Sequence, residues 1–256
     1  MNTLSICIPT YEMNGQGSLF LRQSFDVLAQ QTFKDFDVVI SDHSQDTAIE
    51  HLCREYGQTL EIHYYKNIHN RGSSSANINN AINYATGRLI KILFQDDFLY
   101  HEKALAEIVE AFDIEKDHWL ITACIHSTDG TTFFKPFYPH HHTIQHIWIK
   151  TVFSSPSTLT IKNDHPLLFD EQLVWHMDSD YYRHCYDTFG EPNILNTINV
   201  VNRVGAHQVT ATMATRALRK KEYLIMLQRY ERGAAFCYYR TIGQIKDIVK
   251  YLIDTI

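Results

Sequence analysis

The chain has 256 residues, 45% of them hydrophobic and 20% charged, so it is long enough to bury a large core. Its formal net charge of −6 argues against nucleic acid as a partner, because proteins that bind nucleic acid carry a basic surface. The five cysteines are scattered and odd in number, which predicts neither a disulfide framework nor a zinc site.

The first apolar run, Leu4–Ile8, begins almost at once and is not preceded by the pattern of a signal peptide. No apolar run approaches the roughly 20 residues that a membrane-spanning helix needs. We therefore expect a cytoplasmic protein.

Strand and helix signals alternate through the first half of the chain. Apolar runs predict strands at Leu4–Ile8, Phe36–Ser41, Leu60–Tyr65 and Leu89–Phe94. Helical periodicity predicts helices at Leu19–Gln30 with Ser18 as N-cap, Ala48–Tyr56, Ser74–Ala85 with Gly87 as C-cap, and Lys103–Phe112. Strand–helix–strand units of this length connect parallel strands by right-handed crossovers, which predicts an α/β fold with helices on both faces of a mostly parallel central sheet.

The alternation is less regular in the second half. It offers strand candidates at Trp119–Ile125, Thr131–Phe134, Ser157–Ile161 and Ile194–Val201, and helix candidates at Met177–Thr188, Arg216–Tyr230 and Ile242–Ile253. No linker or change of composition separates these elements. We expect one domain over residues 1–210, with halves 1–105 and 106–210, and a helical extension, 211–256, packed on the same domain.

The pair Asp96-Asp97 follows the strongest apolar run of the chain. Ligands in open α/β sheets bind at the carboxyl ends of strands, so this pair is expected at a binding edge. Two adjacent carboxylates repel each other unless a positive group shares the site, and a divalent cation that also binds phosphate meets that need. The alternative is a solvated Asp-Asp turn that caps the next helix.

Polar residues also follow the other strands of the first half. The first strand leads into Pro9-Thr10-Tyr11-Glu12, the second ends on Asp42, and the third precedes Asn70-Arg71-Gly72. Tyr11 can stack on a base, Asp42 can accept hydrogen bonds from a base or ribose, and Arg71 can pair with phosphate. Each feature alone is ordinary, and together they predict a nucleotide site.

The motifs of the first half resemble those of the inverting family 2 glycosyltransferases, which have the GT-A fold. The matching segments lie within residues 3–105 and are Ser5–Tyr11, Val38–Asp42, Asn70–Gly72 with Asn77, Ala85–Arg88 and Gln95–Asp97. In the second half, Phe169–Glu171 and Trp175–Tyr182 resemble the acceptor-side segment that supplies the catalytic base. The resemblance implies that 1–105 binds the nucleotide sugar and that 106–210 binds the acceptor.

The resemblance also implies a role for each matched residue. Residues of the nucleotide pocket would be Pro9, Thr10, Tyr11, Glu12, Asp42, Arg71 and Asn77. Asp42 would contact a uracil or thymine base, Asp96 the ribose or donor sugar, and Asp97 the Mn²⁺ or Mg²⁺ ion that bridges the diphosphate. Asp178 would be the general base, and Asp180 is the second candidate.

Two positions depart from the family pattern. The acidic triplet begins with Gln95, and Met177 replaces the glutamate that precedes the base. Asp178 and Asp180 are two residues apart, so on a helix one can face the site while the other caps the helix or pairs outside it. Both could instead be acids favoured at a helix N-terminus by the helix dipole.

Other candidates keep two interpretations. His207 is expected either on the metal or diphosphate or in a structural role, and Trp175 either against an acceptor sugar or in the core. His140-His141-His142 with His146 is interpreted as a polar loop at the mouth of the cleft. The basic helix at 216–227 could rest on an anionic membrane surface, although packing with a solvated basic face is favoured.

The expected activity is therefore inverting, metal-assisted transfer of a sugar from a UDP- or dTDP-sugar to a hydroxyl of a glycan or lipid-linked glycan, as in polysaccharide biosynthesis. A sugar nucleotidyltransferase would need a Gly-rich, basic loop after the first strand, which the segment from Pro9 to Asn14 lacks. No G-x-G-x-x-G motif supports a dinucleotide-binding oxidoreductase. A non-catalytic module that binds sugar nucleotides is the third alternative, and Asp97 and Asp178 argue against it.

Overall fold

The computed structural model describes residues 2–141, 147–148, 152–206 and 215–242. The chain divides into two compact units, Met1–Thr212 and Met213–Ile256. Packing of the second unit on the first stays a prediction. Among the described residues, no helix combines the length and the apolar composition that crossing a bilayer requires.

The first unit has strands that form one sheet. Within the described residues they are β1 Leu4–Thr10, β2 Phe36–Asp42, β3 Ile62–Lys66, β4 Leu89–Ile92, β5 Phe98–Leu99, β6 Trp119–Ser127, β7 Phe133–Phe137, β8 Leu159–Lys162 and β9 Asn193–Arg203. Its α-helices are α1 Gly17–Ala29, α2 Ala48–Tyr56, α3 Ser74–Tyr84, α4 Ala104–Ala111 and α5 Met177–Phe189. Short 3₁₀ turns lie at Met13–Gly15 and Pro156–Thr158.

The second unit contains α6, Arg216–Tyr230, as the periodicity predicts. The Thr215 hydroxyl caps it by accepting a hydrogen bond from the Leu218 N–H. Residues 233–242 are also helical. The predicted helix Ile242–Ile253 lies, apart from its first residue, outside the described residues.

The strand order is β3-β2-β1-β4-β8-β6-β9-β5, with β7 paired to β6. Strands β1 to β4 are parallel, as predicted. Strand β8 then runs antiparallel to both β4 and β6, and β9 is parallel to β6. Taken together, the pairings of the described strands give β6 and β9 the direction of β1 and give β5, β7 and β8 the opposite direction.

Burial explains why β1 and β2 lie in the middle of this half of the sheet. All seven residues of each strand are buried, which suits central parallel strands covered by helices on both faces. The register places Thr10 beside Asp42, and Asp42 beside Lys66 of the edge strand β3. The polar carboxyl ends of these three strands therefore meet.

Strand β5 is the element that sequence patterning missed. Its two residues are too short to show a period, and they pair antiparallel with β9, Phe98 opposite Val201. This pairing brings the turn that contains Asp96 and Asp97 against the end of β9. Helix α1 also differs from the prediction, because it begins at Gly17 with Gln16 at the N-cap position, so Ser18 lies inside the helix.

Gly87 was expected to cap α3, and this is wrong, because the C-cap is Ala85. Gly87 instead allows close contact with β1: an added Cβ would lie 2.5 Å from the Ser5 backbone nitrogen and 2.7 Å from the Leu4 carbonyl carbon. Its N–H also donates to the Ser5 hydroxyl at 2.8 Å. The residue is small because two stretches of backbone meet there.

We predict that Gly87→Ala lowers the free energy of unfolding by roughly 1–3 kcal/mol, the usual cost of overpacking. Gly57→Ala is the matched control, since the nearest atoms to its added Cβ are 3.4 Å away. It should be neutral or stabilise by up to about 1 kcal/mol. Urea unfolding of the two variants measures both values, and equal effects would contradict the close-contact argument.

Candidate active site

Asp97 is held inside the protein at the turn between β4 and β5. Only 4% of its surface is exposed, whereas Asp96 is half-buried. Oδ1 of Asp97 accepts the backbone N–H of Arg203 at 2.8 Å, and Oδ2 accepts the Ser155 hydroxyl at 3.2 Å. The two acids of the pair are thus not equivalent, since one is fixed by β9 and by the segment before β8 and the other reaches the surface.

Burial dominates the electrostatics of Asp97. It raises the pKa of this carboxyl to about 8, the neighbouring charge of Asp96 adds to the effect, and hydrogen bonds from Ser157, Arg203 and Ser155 offset only part of it. A cation that approaches a buried carboxyl stabilises its ionised form.

A buried lysine lies in the same part of the core. Lys91 of β4 is fully buried, and its ammonium group donates to the carbonyl oxygens of Ser157 and Leu159. Burial lowers the pKa of Lys91 to about 7, while the charge of Asp97 opposes this shift. Lys91 also fastens the Ser157 turn, whose hydroxyl in turn accepts the backbone N–H of Phe94 at 2.9 Å.

The acidic pair fits a divalent cation by its chemistry. Carboxylate oxygens are the ligands that Mg²⁺ and Mn²⁺ prefer, and such ions commonly complete their shell with water and substrate phosphates. Asp97 accepts hydrogen bonds from Ser155, Ser157 and Arg203, and because a carboxylate has about four lone-pair sites, one remains for a metal. Within the described ranges no group of three or more His, Cys, Asp or Glu residues forms a ready metal site. His207, the predicted additional ligand, lies outside the described residues.

Asp42 ends β2 with both oxygens already engaged. Oδ1 accepts the Thr10 hydroxyl at 3.2 Å and the Ser44 N–H at 2.9 Å, and Oδ2 accepts the Tyr64 hydroxyl at 2.7 Å and the Lys66 ammonium at 3.2 Å. Burial would raise the pKa of Asp42, but the hydrogen bonds outweigh it and lower the pKa. Asp42 is therefore an anchored anion at this edge.

The Asn77 side chain binds the end of β1. Its amide donates to the Thr10 carbonyl at 2.9 Å and accepts the Ser41 hydroxyl at 2.7 Å. Asn77 is only 3% exposed and Pro9 is buried in β1. Asn77 therefore ties the ends of β1 and β2 together, and a role of Pro9 and Asn77 in the nucleotide pocket stays a prediction.

Tyr11 reaches the surface beside the acidic pair. It is 44% exposed, and burial followed by the charges of Asp96 and Glu12 raises its pKa. Its backbone N–H donates to Oε1 of Gln95 at 2.9 Å. The Glu12 carbonyl closes the next turn by accepting the N–H groups of Gly15 and Gly17. The structure thus gathers Tyr11, Glu12 and Asp96 at one edge.

Arg71 lies in the Arg71 loop, defined as Asn67–Gly72. His43 fixes this loop by donating from Nε2 to the His69 carbonyl at 3.1 Å while its Nδ1 accepts the Gly72 N–H at 3.3 Å. Arg71 is exposed, and its charge contributes to the lowering of the pKa of His43, although burial of His43 is the larger cause. An exposed guanidinium at this position can meet an anionic ligand.

The predicted base residues open helix α5. Asp178 is half-buried, and its Oδ1 accepts the Ser179 N–H at 2.7 Å. Asp180, the second candidate, is buried at 4% exposure, and the choice between the two acids stays a prediction. Trp175, just before the helix, is half-buried with its ring 4.4 Å from that of His176.

A polar network extends from Asp97 towards helix α5. Ser155 donates to Asp97, and the carbonyl of the preceding residue, Ser154, accepts the Tyr182 hydroxyl at 3.3 Å. Burial and then the charge of Asp178 raise the pKa of Tyr182. The network of Asp97 therefore reaches the residue one helical turn after Asp178.

Three residues of this network were missed by sequence reasoning. Lys91 interrupts the apolar run of β4, and this is a signal that could have found it. Gln95 was noted only as a departure, yet it holds Tyr11, and its buried Nε2 has no hydrogen-bond partner among the described residues. Arg203 gave no local signal, because its contacts with Asp96 and Asp97 cross more than 100 residues.

A separate cavity of about 240 Å³ lies at the amino ends of the strands. It contains none of the predicted site residues and is lined by Asn2, Glu61, His63, Tyr65, Tyr84 and Thr86. Of the histidines of the 140–146 segment, His141 pairs with Glu191 at 3.0 Å, and His142 and His146 lie outside the described residues.

Comparison with known proteins connects this edge to one family. The sequence model of glycosyl transferase family 2 matches residues 5–180. An uncharacterized glycosyltransferase of Methanocaldococcus jannaschii is 25% identical over 190 residues, which cover 71% of this chain and 64%, less than two thirds, of that protein.

Solved structures show the same fold. Residues 1–349 of S. aureus TarS, in complex with UDP-GlcNAc, give a TM-score of 0.67 at 17% identity over 93% of this chain and 69% of that one. The mannosyltransferase PcManGT of Pyrobaculum calidifontis, in complex with GDP-Man and Mn²⁺, gives 0.61 at 14% identity over 96% and 69%. The fold of this chain is therefore GT-A.

We predict that, without divalent cations, Asp97→Asn gains stability relative to the wild type as the pH rises from 5 to 8. The unfolded carboxyl ionises near pH 4, but the folded one stays protonated up to about pH 8, so the unfolded state binds fewer protons between these values and wild-type stability falls as the pH rises. Asparagine does not titrate. Urea unfolding in EDTA at three pH values measures the difference, and a constant difference would contradict the burial argument.

Proposed function

The chain belongs to glycosyl transferase family 2, and from this we propose that it transfers a sugar from a nucleoside diphosphate donor to a hydroxyl of a glycan or glycoconjugate acceptor. The observation that carries the proposal is that three pairs of residues meet at the carboxyl edge of β1, β2 and β4. They are Thr10 with Asp42, Tyr11 with Gln95, and Asp96 with Asp97. Residues 1–105 would bind the donor, and 106–210 the acceptor.

Asp42 would accept the N–H of a uracil or thymine base. Lys66 lies beside it and can donate to the adjacent base carbonyl, so the pair offers an acceptor and a donor side by side. Ser44, Tyr64 and Thr10 keep the carboxylate in place. Tyr11 would stack on the base or ribose, and TarS in complex with UDP is a structural neighbour of this chain.

Asp96 and Asp97 would hold a divalent cation, and Arg71 would pair with the diphosphate. When bound, the cation would neutralise the negative charge of the leaving nucleotide. Asp97 is fixed by Ser155 and Arg203, so the protein contributes a preformed carboxylate, while the half-buried Asp96 and the exposed Tyr11 contribute groups that reach the donor.

Asp178 would remove the proton of the acceptor hydroxyl. It lies in the first turn of α5, where the helix dipole stabilises a carboxylate. The hydroxyl would then attack the anomeric carbon from the side opposite the diphosphate, so one displacement would invert the configuration. Asp180, two residues further along the helix and buried, is the second candidate.

We predict that UDP binds more tightly with Mn²⁺ than without it, and that Asp97→Asn and Asp96→Asn each reduce this gain by about 10–100-fold, the range for altered metal sites. Asparagine preserves the size of both side chains, so the fold should persist. Asp164→Asn, at a carboxylate that is 67% exposed, is the control. Calorimetry measures the affinities, and an unchanged Mn²⁺ gain in folded Asp97→Asn would contradict the assignment of Asp97.

We predict that the wild type prefers UDP to CDP and that Asp42→Asn removes most of this preference, at a cost of about 1–3 kcal/mol in UDP binding. Cytosine presents an acceptor where uracil presents its ring N–H, so only uracil suits a carboxylate. Competition calorimetry compares the two nucleotides. Tighter binding of a purine nucleotide by the wild type would reject the pyrimidine assignment.

We predict that Asp178→Asn slows turnover of a UDP-sugar by roughly 10²–10⁴-fold, the usual contribution of a general base, with UDP affinity unchanged. Asp180→Asn should slow it less while lowering the melting temperature more, because Asp180 is buried. Water can replace an unidentified acceptor in this assay, and proton NMR reads the configuration of the released sugar. Retention would reject the single displacement, and a larger rate loss in Asp180→Asn would exchange the two carboxylates.

A further inference from the structure

The segment that leads into α5 is tied to helix α3. We call residues 169–176 the acceptor segment. The Asn79 side chain binds the Phe169 backbone twice, donating to its carbonyl at 2.9 Å and accepting its N–H at 2.8 Å. Ser75 donates to the Leu173 carbonyl at 3.2 Å. Helix α3 therefore binds the backbone of the acceptor segment at two points, Phe169 and Leu173.

Glu171 connects this segment to the Arg71 loop. Its Oε1 accepts the Asn79 amide at 3.3 Å, and its Oε2 accepts His69 Nε2 at 3.2 Å and the Asn70 amide at 3.3 Å. These bonds join two stretches about 100 residues apart in sequence. One carboxylate thus bridges the residues before Arg71 and the segment before Asp178.

The bridge acts on a loop with a constrained backbone. Asn70 has φ +47°, in the left-handed region, and Gly72 has φ +94°. The loop is also held by His43 and by the Asn67 side chain, which accepts the His69 N–H at 2.9 Å. A shift of Arg71 would therefore displace His69 and Asn70, and with them the carboxylate of Glu171.

We infer that Glu171 is a positioning residue that couples nucleotide binding at the Arg71 loop to the placement of Trp175 and Asp178. The inference rests on the proposed function, since it takes a nucleoside diphosphate as the ligand of Arg71. When Arg71 pairs with the diphosphate, the bond network of Glu171 transmits the new loop position to the acceptor segment. Binding of the donor then prepares the acceptor side, so the two substrates bind with positive coupling.

Trp175 provides a direct readout of the acceptor segment. It is half-buried, whereas Trp119 and Trp148, the other two tryptophans of the chain, are at most 1% exposed. A change in its surroundings changes its fluorescence, and Trp175→Phe identifies its share of the signal. UDP with Mn²⁺ is the probe, and calorimetry on the same samples measures binding independently.

In the wild type, UDP with Mn²⁺ is expected to change Trp175 fluorescence. In Glu171→Ala, UDP should still bind, but about fivefold more weakly, which is the lower end of the range for coupled sites. The Trp175 response at saturating UDP should be lost. Glu171→Gln retains one acceptor oxygen and should keep part of the response. Gln172→Ala is the matched control, because that side chain is exposed in the same segment.

The outcomes separate the inference from its premise. A full Trp175 response in folded Glu171→Ala at saturating UDP overturns the coupling role and leaves the proposed function intact. A wild type that binds UDP without any Trp175 response overturns it as well. A wild type that does not bind UDP rejects both the donor assignment and the coupling built on it. If Glu171 had only a structural role, Glu171→Ala would lower the melting temperature without altering the Trp175 response.

Discussion

The burial of Asp97 is the constraint on which the arrangement of the site depends. A carboxylate at 4% exposure beside a second acid is unfavourable unless donors surround it. Those donors come from the end of β9, through the Arg203 N–H, and from Ser155 and Ser157 before β8. Asp97 therefore keeps its place only if the second half of the sheet is correctly assembled, so the acidic pair of the first half depends on the second half.

Arg203 and Lys91 extend this dependence into the surrounding core. The Arg203 guanidinium donates to the Asp96 carbonyl at 3.1 Å and to Gln23 of α1, and it lies 4.5 Å from the Phe20 ring. Lys91 fastens β4 to the turn that carries Ser157. Both are buried basic side chains that donate to backbone carbonyls close to the acidic pair.

The donor half could be predicted from sequence because its signals are local. Continuous apolar strands alternate with amphipathic helices, and the polar residues that matter follow the strands directly, as Asp42 and Asp97 do. The strand candidates of the second half also form, but their pairing could not be predicted, because β8 runs antiparallel to both of its neighbours and the two-residue β5 of the first half pairs with β9. The spacing of Asp178 and Asp180 shows that their side chains point in different directions on a helix. It does not show which of the two is buried. Glu171 and Arg203 act through contacts between distant segments, which no local pattern reveals.

The central claim is that the carboxyl edge of β1, β2 and β4 binds a nucleoside diphosphate with a cation at the acidic pair. A crystal structure with UDP and Mn²⁺, with anomalous data collected for manganese, tests it most directly. The account predicts manganese within about 2.5 Å of a carboxylate oxygen of Asp96 or Asp97, and uracil next to Asp42 and Lys66. Nucleotide bound elsewhere, such as in the cavity beside Glu61 and Tyr84, or manganese away from both acids, would contradict it.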